Sequence, residues 1–200
     1  MFRTFVAALG AALSLSLAPA SAVADPPRAP AHQADAPVAS DVSGGSGIGS
    51  AVGPRRDDVR RQLAAARAAT GRFRDLRVAL DEGYAPMGQS CLHSPEGGMG
   101  RHYIKPEFVG LLDPLRPTIL VYDVDPDSKT TRDLVALEWV KWDEDQDVST
   151  DDDRPSLFGV PFDGPFERVE DMPARYDLHA WVWKHNPSGT FARWNPTVTC

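Results

Sequence analysis

LVALEWVKW, Leu134–Trp142, is the stretch on which the fold turns. It is short, apolar and rich in aliphatic and aromatic residues, as a strand should be. Just ahead of it, DPDSKTTRD (125–133) is turn chemistry, and TILVYDV (118–124) repeats the apolar run on the far side. Two such runs about a turn read as a β-hairpin. YDLHAWVWK (176–184) predicts a third strand. Upstream, RRDDVRRQLAAARAATGRFRDLRVALDEGY (55–84) places Val59, Leu63, Ala66, Phe73, Leu76 and Leu80 at three-, four- or seven-residue intervals, one face of a helix. Asp57 and Asp58 suit its positive end, Gly83 its stop, and Gly71 weakens or bends it midway. Its arginines fill the other face, which reads as solvated. One long helix followed by strands predicts an α+β fold: a long N-terminal helix packed on a mostly antiparallel sheet, with long loops and one disulfide.

The rest of the chain sets the compartment. MFRTFVAALGAALSLSLAPASAVAD (1–25) has a positive start, a short apolar core and an Ala-Val-Ala end. That pattern predicts a signal peptide over residues 1–24 and a secreted or periplasmic protein. The apolar run is short for a membrane span of about 20 residues, and no later segment is apolar enough to span. Residues 25–54 are rich in Ala, Pro, Gly and Ser and predict a flexible linker. A single domain is expected over 55–200. Cys91 and Cys200 are the only two cysteines, and an even count in an oxidising compartment reads first as a disulfide. The net charge of −7 argues against nucleic acid as a partner, since that binding rests on Lys and Arg at phosphates.

Chemistry is sought where polar residues break an apolar pattern. Side chains alternate faces along a strand, so Leu134, Ala136, Glu138, Val140 and Trp142 are expected on one face. A carboxylate there is costly unless paired, protonated or bound to a cation. A solvated Glu138, or one paired with a helix arginine, is the bland alternative. By the same parity Asp177, His179, Trp181 and Trp183 share a face. His102 follows SPEGGMGR, a glycine-rich loop able to approach closely. Two histidines and a carboxylate, His102, Glu138 and His179, make a workable site for a divalent ion such as Zn or Fe(II). A second set, Cys91, His93, Met99 and His102, would suit copper if Cys91 were a thiolate; His185 is a further histidine to place. The acidic stretches beginning at Asp123 and Asp143 carry alternating carboxylates but do not complete a calcium loop. No G-x-S-x-G elbow is present, and no catalytic residue is named.

LHAWVWKHNPSGTFARWNPTVTC (178–200), with GYAPMGQSCLHSPEGGMGRHY (83–103) and PSLFGVPF (155–162), resembles a group of uncharacterised exported bacterial proteins. The resemblance covers residues 83–200. It implies a secreted single domain and brings no activity with it. Three readings follow: a secreted metal-binding protein; a non-catalytic module using Tyr103, Trp181 and Trp183 to bind a small organic or carbohydrate ligand; and a structural domain whose polar groups satisfy one another.

Overall fold

The computed structural model describes residues 55–88, 90–169 and 172–200. The signal-peptide segment and the linker expected over 1–54 lie outside the described residues. Helix α1 (Arg56–Thr70) continues as a 3-10 turn (Gly71–Arg74) and then a short helix α2 (Leu76–Asp81). The strands are β1 (Ala85–Pro86), β2 (Leu92–Ser94), β3 (Gly97–Ile104), β4 (Ile119–Val124), β5 (Thr131–Trp142), β6 (Ser156–Leu157), β7 (Val160–Pro161), β8 (Asp163–Phe166) and β9 (Arg175–Ala180). One sheet runs β1-β3-β4-β5-β9-β8, with β2 added on β3, and β6 and β7 form a separate ribbon. Every pairing is antiparallel. Helix, antiparallel sheet and one disulfide are thus present, but the helix is not a single long one. Gly71 closes α1, and Asp75 leaves helical geometry at φ −89°, ψ 109°. The Asp75 carboxylate then accepts the Arg77 amide at 3.0 Å and starts α2. The break shifts the helical phase, so Ala79 is buried while Leu80, expected on the packed face, is 44% exposed.

The sheet is apolar on both faces. Tyr103, Leu120, Tyr122, Leu137, Trp139, Tyr176 and Leu178 pack with Ala66, Phe73 and Ala79 of the helical segment. Ile119, Val121, Ala136, Val140, Trp181 and Val198 form a second cluster. This is why LVALEWVKW reads as continuous rather than alternating hydrophobicity. Parity holds from Ala136 onward and fails before it. Val121 pairs with Ala136, but Tyr122 pairs with Leu134, so Val135 is the extra residue of a β-bulge. The bulge turns Leu134 to the helical side, away from Ala136, Glu138 and Val140.

The glycine-rich run is not a loop. It is the tip of the β2–β3 hairpin and the first half of β3. Its glycines let the C-terminal tail lie directly on the strand. The Gly98 and Asn195 backbones exchange hydrogen bonds of 3.1 and 3.0 Å. A Cβ on Gly98 would sit 2.7 Å from the Val198 carbonyl oxygen. Both Asn-Pro steps anchor this tail. The Asn186 amide donates to the Trp194 carbonyl at 2.9 Å, and the buried Asn195 donates to the His185 carbonyl at 3.1 Å. A disulfide between Cys91 and Cys200, 109 positions apart, closes the tail against β2. That bond is compatible with an extracellular or periplasmic setting; among the described residues no helix is long and apolar enough to cross a membrane.

Candidate metal centre

The second face of the sheet carries the chemistry. Glu138 lies in the interior of β5, with Ile119 of β4 opposite on one side and His179 of β9 on the other. Directly opposed residues bring their Cβ atoms to about 5 Å, so the register alone sets a carboxylate against an imidazole. His102 is opposite Val121, one row along from Ile119, and reaches Glu138 diagonally across β4. Its Nε2 is 3.4 Å from Glu138 Oε2, and His179 Nε2 is 3.5 Å from that same oxygen. One ligand atom from each of the three residues lies within 4.8 Å of the others, and no other such group occurs among the described residues. Their exposures are 6%, 5% and 1% for His102, Glu138 and His179. Glu138 is therefore neither solvated nor paired with a helix arginine, because the helical segment packs on the opposite face.

Burial sets the electrostatics. It raises Glu138 well above the ordinary carboxyl range, and the Asp177 charge pushes further in that direction, against Arg193 and Arg175. It lowers His102 to about 4, although a backbone contact with Gly100 pulls upward. It also lowers His179 well below the ordinary value, helped by His102 and Arg193. Each group is driven toward neutrality, as expected where water has been removed and no counter-charge supplied. Glu138 Oε2 and both ring nitrogens of His179 have no hydrogen-bond partner. Native interiors rarely leave such atoms unsatisfied.

The spacing suits a small cation. Zinc bonds of about 2.0–2.1 Å in tetrahedral geometry put ligand atoms about 3.3 Å apart. The nitrogen–oxygen edges here are 3.4 and 3.5 Å. Behind His179, Asp177 Oδ1 lies 3.7 Å from Nδ1, longer than a hydrogen bond but on the side from which a carboxylate orients a ligating imidazole. Asp177 is itself held by Arg193 at 3.5 Å, and burial raises its carboxyl to about 6. A cavity of about 360 Å³ opens onto the three residues. Met87, Leu92, Met99, Ile119, Val169 and Met172 make its apolar wall, while Arg175, Asp177 and Arg193 add charge.

No known family model matches this chain. The comparisons with curated proteins and with solved structures found no similar protein either.

The other residues singled out in the sequence are dispersed. Cys91 is in the disulfide, so the copper set has no thiolate. His93 and His185 are exposed, whereas Met99 is buried in the cavity wall. Tyr103 faces the helical side, its hydroxyl 3.0 Å from Thr131 Oγ1. Trp181 is buried on the opposite face and donates to the Ala192 carbonyl. Trp183 lies beyond β9 rather than on its alternation. It packs on the helical side, stacks under Arg67 at 4.6 Å and donates to Thr70 Oγ1 at 3.2 Å. The three aromatics therefore do not share one groove. The acidic turns use their carboxylates locally: Asp125 accepts the Asp127 and Ser128 amides, and Asp123 pairs with Lys184 at 2.7 Å. The reading of the sequence missed Arg175, Arg193, Met87 and Met172. Arg175 was legible, since Arg175, Asp177 and His179 fall at alternate positions of one strand; the others come from segments without periodicity.

Proposed function

We propose that this protein binds a divalent transition metal ion, zinc before others, through His102 Nε2, Glu138 Oε2 and His179 Nε2. The observation that carries this reading is the convergence of three buried ligand atoms from three strands, with Glu138 Oε2 and His179 Nε2 lacking any hydrogen-bond partner. A bound cation would satisfy both atoms and convert the buried carboxyl from a cost into a ligand. Two imidazoles and one carboxylate are the donor set of zinc and related transition ions, whereas harder ions take oxygen ligands. Three protein ligands leave a position open toward the apolar cavity. Such a centre supplies Lewis acidity and lowers the pKa of a bound water. Asp177 would hold His179 in the tautomer that presents Nε2 to the ion, and Arg193 would hold Asp177.

The test is elemental analysis of untagged mature protein, before and after dialysis against a chelator and re-addition of zinc. About one zinc per chain, lost in His102→Ala and in His179→Ala variants that keep the wild-type circular dichroism spectrum, is the expected result. Folded wild-type protein that takes up no zinc, iron or copper refutes the proposal.

A further inference from the structure

The wall of the cavity points to the kind of ligand it takes. Among the described residues four charged side chains line it besides the histidines: Glu138, Asp177, Arg175 and Arg193. The arginines offset the carboxylates, so a divalent ion would leave this lining with two net positive charges, the ion itself beside buried histidines. Uncompensated charge in such surroundings is costly. Among the described residues the rest of the wall offers no third carboxylate; apart from Ser90 it is thioether and aliphatic.

The two arginines are not equivalent. Arg193 is committed: its guanidinium stacks 3.7 Å over Phe166 and lies 3.5 Å from Asp177. Among the described residues Arg175 is held loosely, by a 3.5 Å bond to the Glu167 carbonyl and a 5.8 Å approach to Phe166. It stands four residues before His179 on the same strand and face. At about 3.4 Å per residue the two backbones are roughly 14 Å apart, yet both side chains reach one cavity. A guanidinium presents a fork that matches a carboxylate in two parallel hydrogen bonds.

We infer that the cavity binds a small organic carboxylate, its acid group on Arg175 and its apolar body along Met87, Leu92, Met99 and Met172 toward the metal. This rests on the metal reading above. A volume of about 360 Å³ fits a compact acid rather than a peptide or an oligosaccharide.

The test titrates zinc-loaded protein with hexanoate, hexanol and hexylamine by ligand-observed NMR, with zinc content measured on the same samples. Hexanoate is expected to bind at least tenfold more tightly than either neutral or cationic analogue. Arg175→Gln should cost hexanoate at least tenfold while leaving hexanol binding and zinc content unchanged. This variant spares Asp177, whose partner is Arg193. Equal binding of hexanoate and hexanol, or an Arg175→Gln variant that binds hexanoate like wild type, overturns the inference with the metal reading intact. If the samples hold no zinc, the metal reading fails on its own measurement. The same titrations on metal-free protein then decide: selectivity that depends on Arg175 upholds the acid pocket, and its absence overturns it.

Discussion

Replacing Glu138 by leucine should make the metal-free protein more stable, not less. Most substitutions of a residue only 5% exposed at the centre of a sheet are destabilising. Here the wild-type side chain is the misfit. Its Oε2 has no hydrogen-bond partner, and its strand neighbours on this face, Ala136 and Val140, and its cross-strand partner Ile119 are apolar. Leaving a buried polar group unsatisfied costs about 1–3 kcal/mol, and an apolar side chain removes that cost. Leucine is somewhat bulkier, but the cavity beside Glu138 gives it room. For a domain of this size about 1–3 kcal/mol corresponds to a melting temperature roughly 3–10 °C higher. Zinc well above Kd should close this gap or reverse the order. At a hundred times Kd a ligand adds about 2.7 kcal/mol to the protein that binds it, and the leucine variant would gain nothing. The assay is calorimetric melting of both proteins with the disulfide intact, once in chelator and once in excess zinc. A Glu138→Leu variant that melts well below wild type in chelator would refute the reasoning. It would mean that the carboxyl is satisfied by His102 and His179 and serves as a structural strut.

Asp177→Asn should weaken zinc about 10- to 100-fold without abolishing it, because the residue supports a ligand and is not one; calorimetric titration reads this, and unchanged affinity would remove Asp177 from the centre. Gly98→Ala should destabilise by about 1–3 kcal/mol, since the new methyl meets the Val198 carbonyl oxygen at 2.7 Å and the tail must shift. Gly71→Ala, whose Cβ would only touch Trp183 at 3.8 Å, is the control and should be neutral or mildly stabilising in urea melts. Reducing Cys91–Cys200 should cost up to about 4–5 kcal/mol, the chain-entropy value for so long a loop. A reduced protein with an unchanged urea midpoint would show that the unfolded chain gains no freedom from losing the bridge.

How much of the fold the sequence carried depends on the range of the interaction. Strands β4 and β5 were legible because burial on both faces writes itself as a largely apolar run, and β9 by its Tyr, Leu and Ala leading into two tryptophans. The disulfide was legible because only one pairing exists for two cysteines. The helix break was only half legible. Gly71 signalled a weakness, but the re-phasing comes from Asp75 turning its carboxylate back to the Arg77 amide, a local competition that periodicity does not express. The glycines before His102 suggested a loop near a ligand. They form a strand because the tail sits on them, and Asn195 and Val198 lie too far along the chain for local reading to anticipate that contact.

The site was legible for the reason that it is costly. A strand with both faces buried should hold no carboxyl at its centre, and consistency across levels is what makes a sequence specify a fold. Glu138 breaks that consistency in β5, and His179 breaks it in β9. The register then sets the two breaks opposite each other. One isolated polar residue in an apolar strand is a defect that packing must absorb. Two that face each other, joined by His102 from a third strand and sharing an oxygen that nothing else satisfies, form a set of mutual exceptions. What could not be read was the bulge at Val135, which leaves Ala136 and Glu138 on the second face of the sheet while Leu134 faces the helices. Strict alternation through Val135, with no bulge, would put Leu134 on the same face as Ala136. Leu134 would then leave the helical core. The bulge lets one strand serve both the hydrophobic core and the row of ligands.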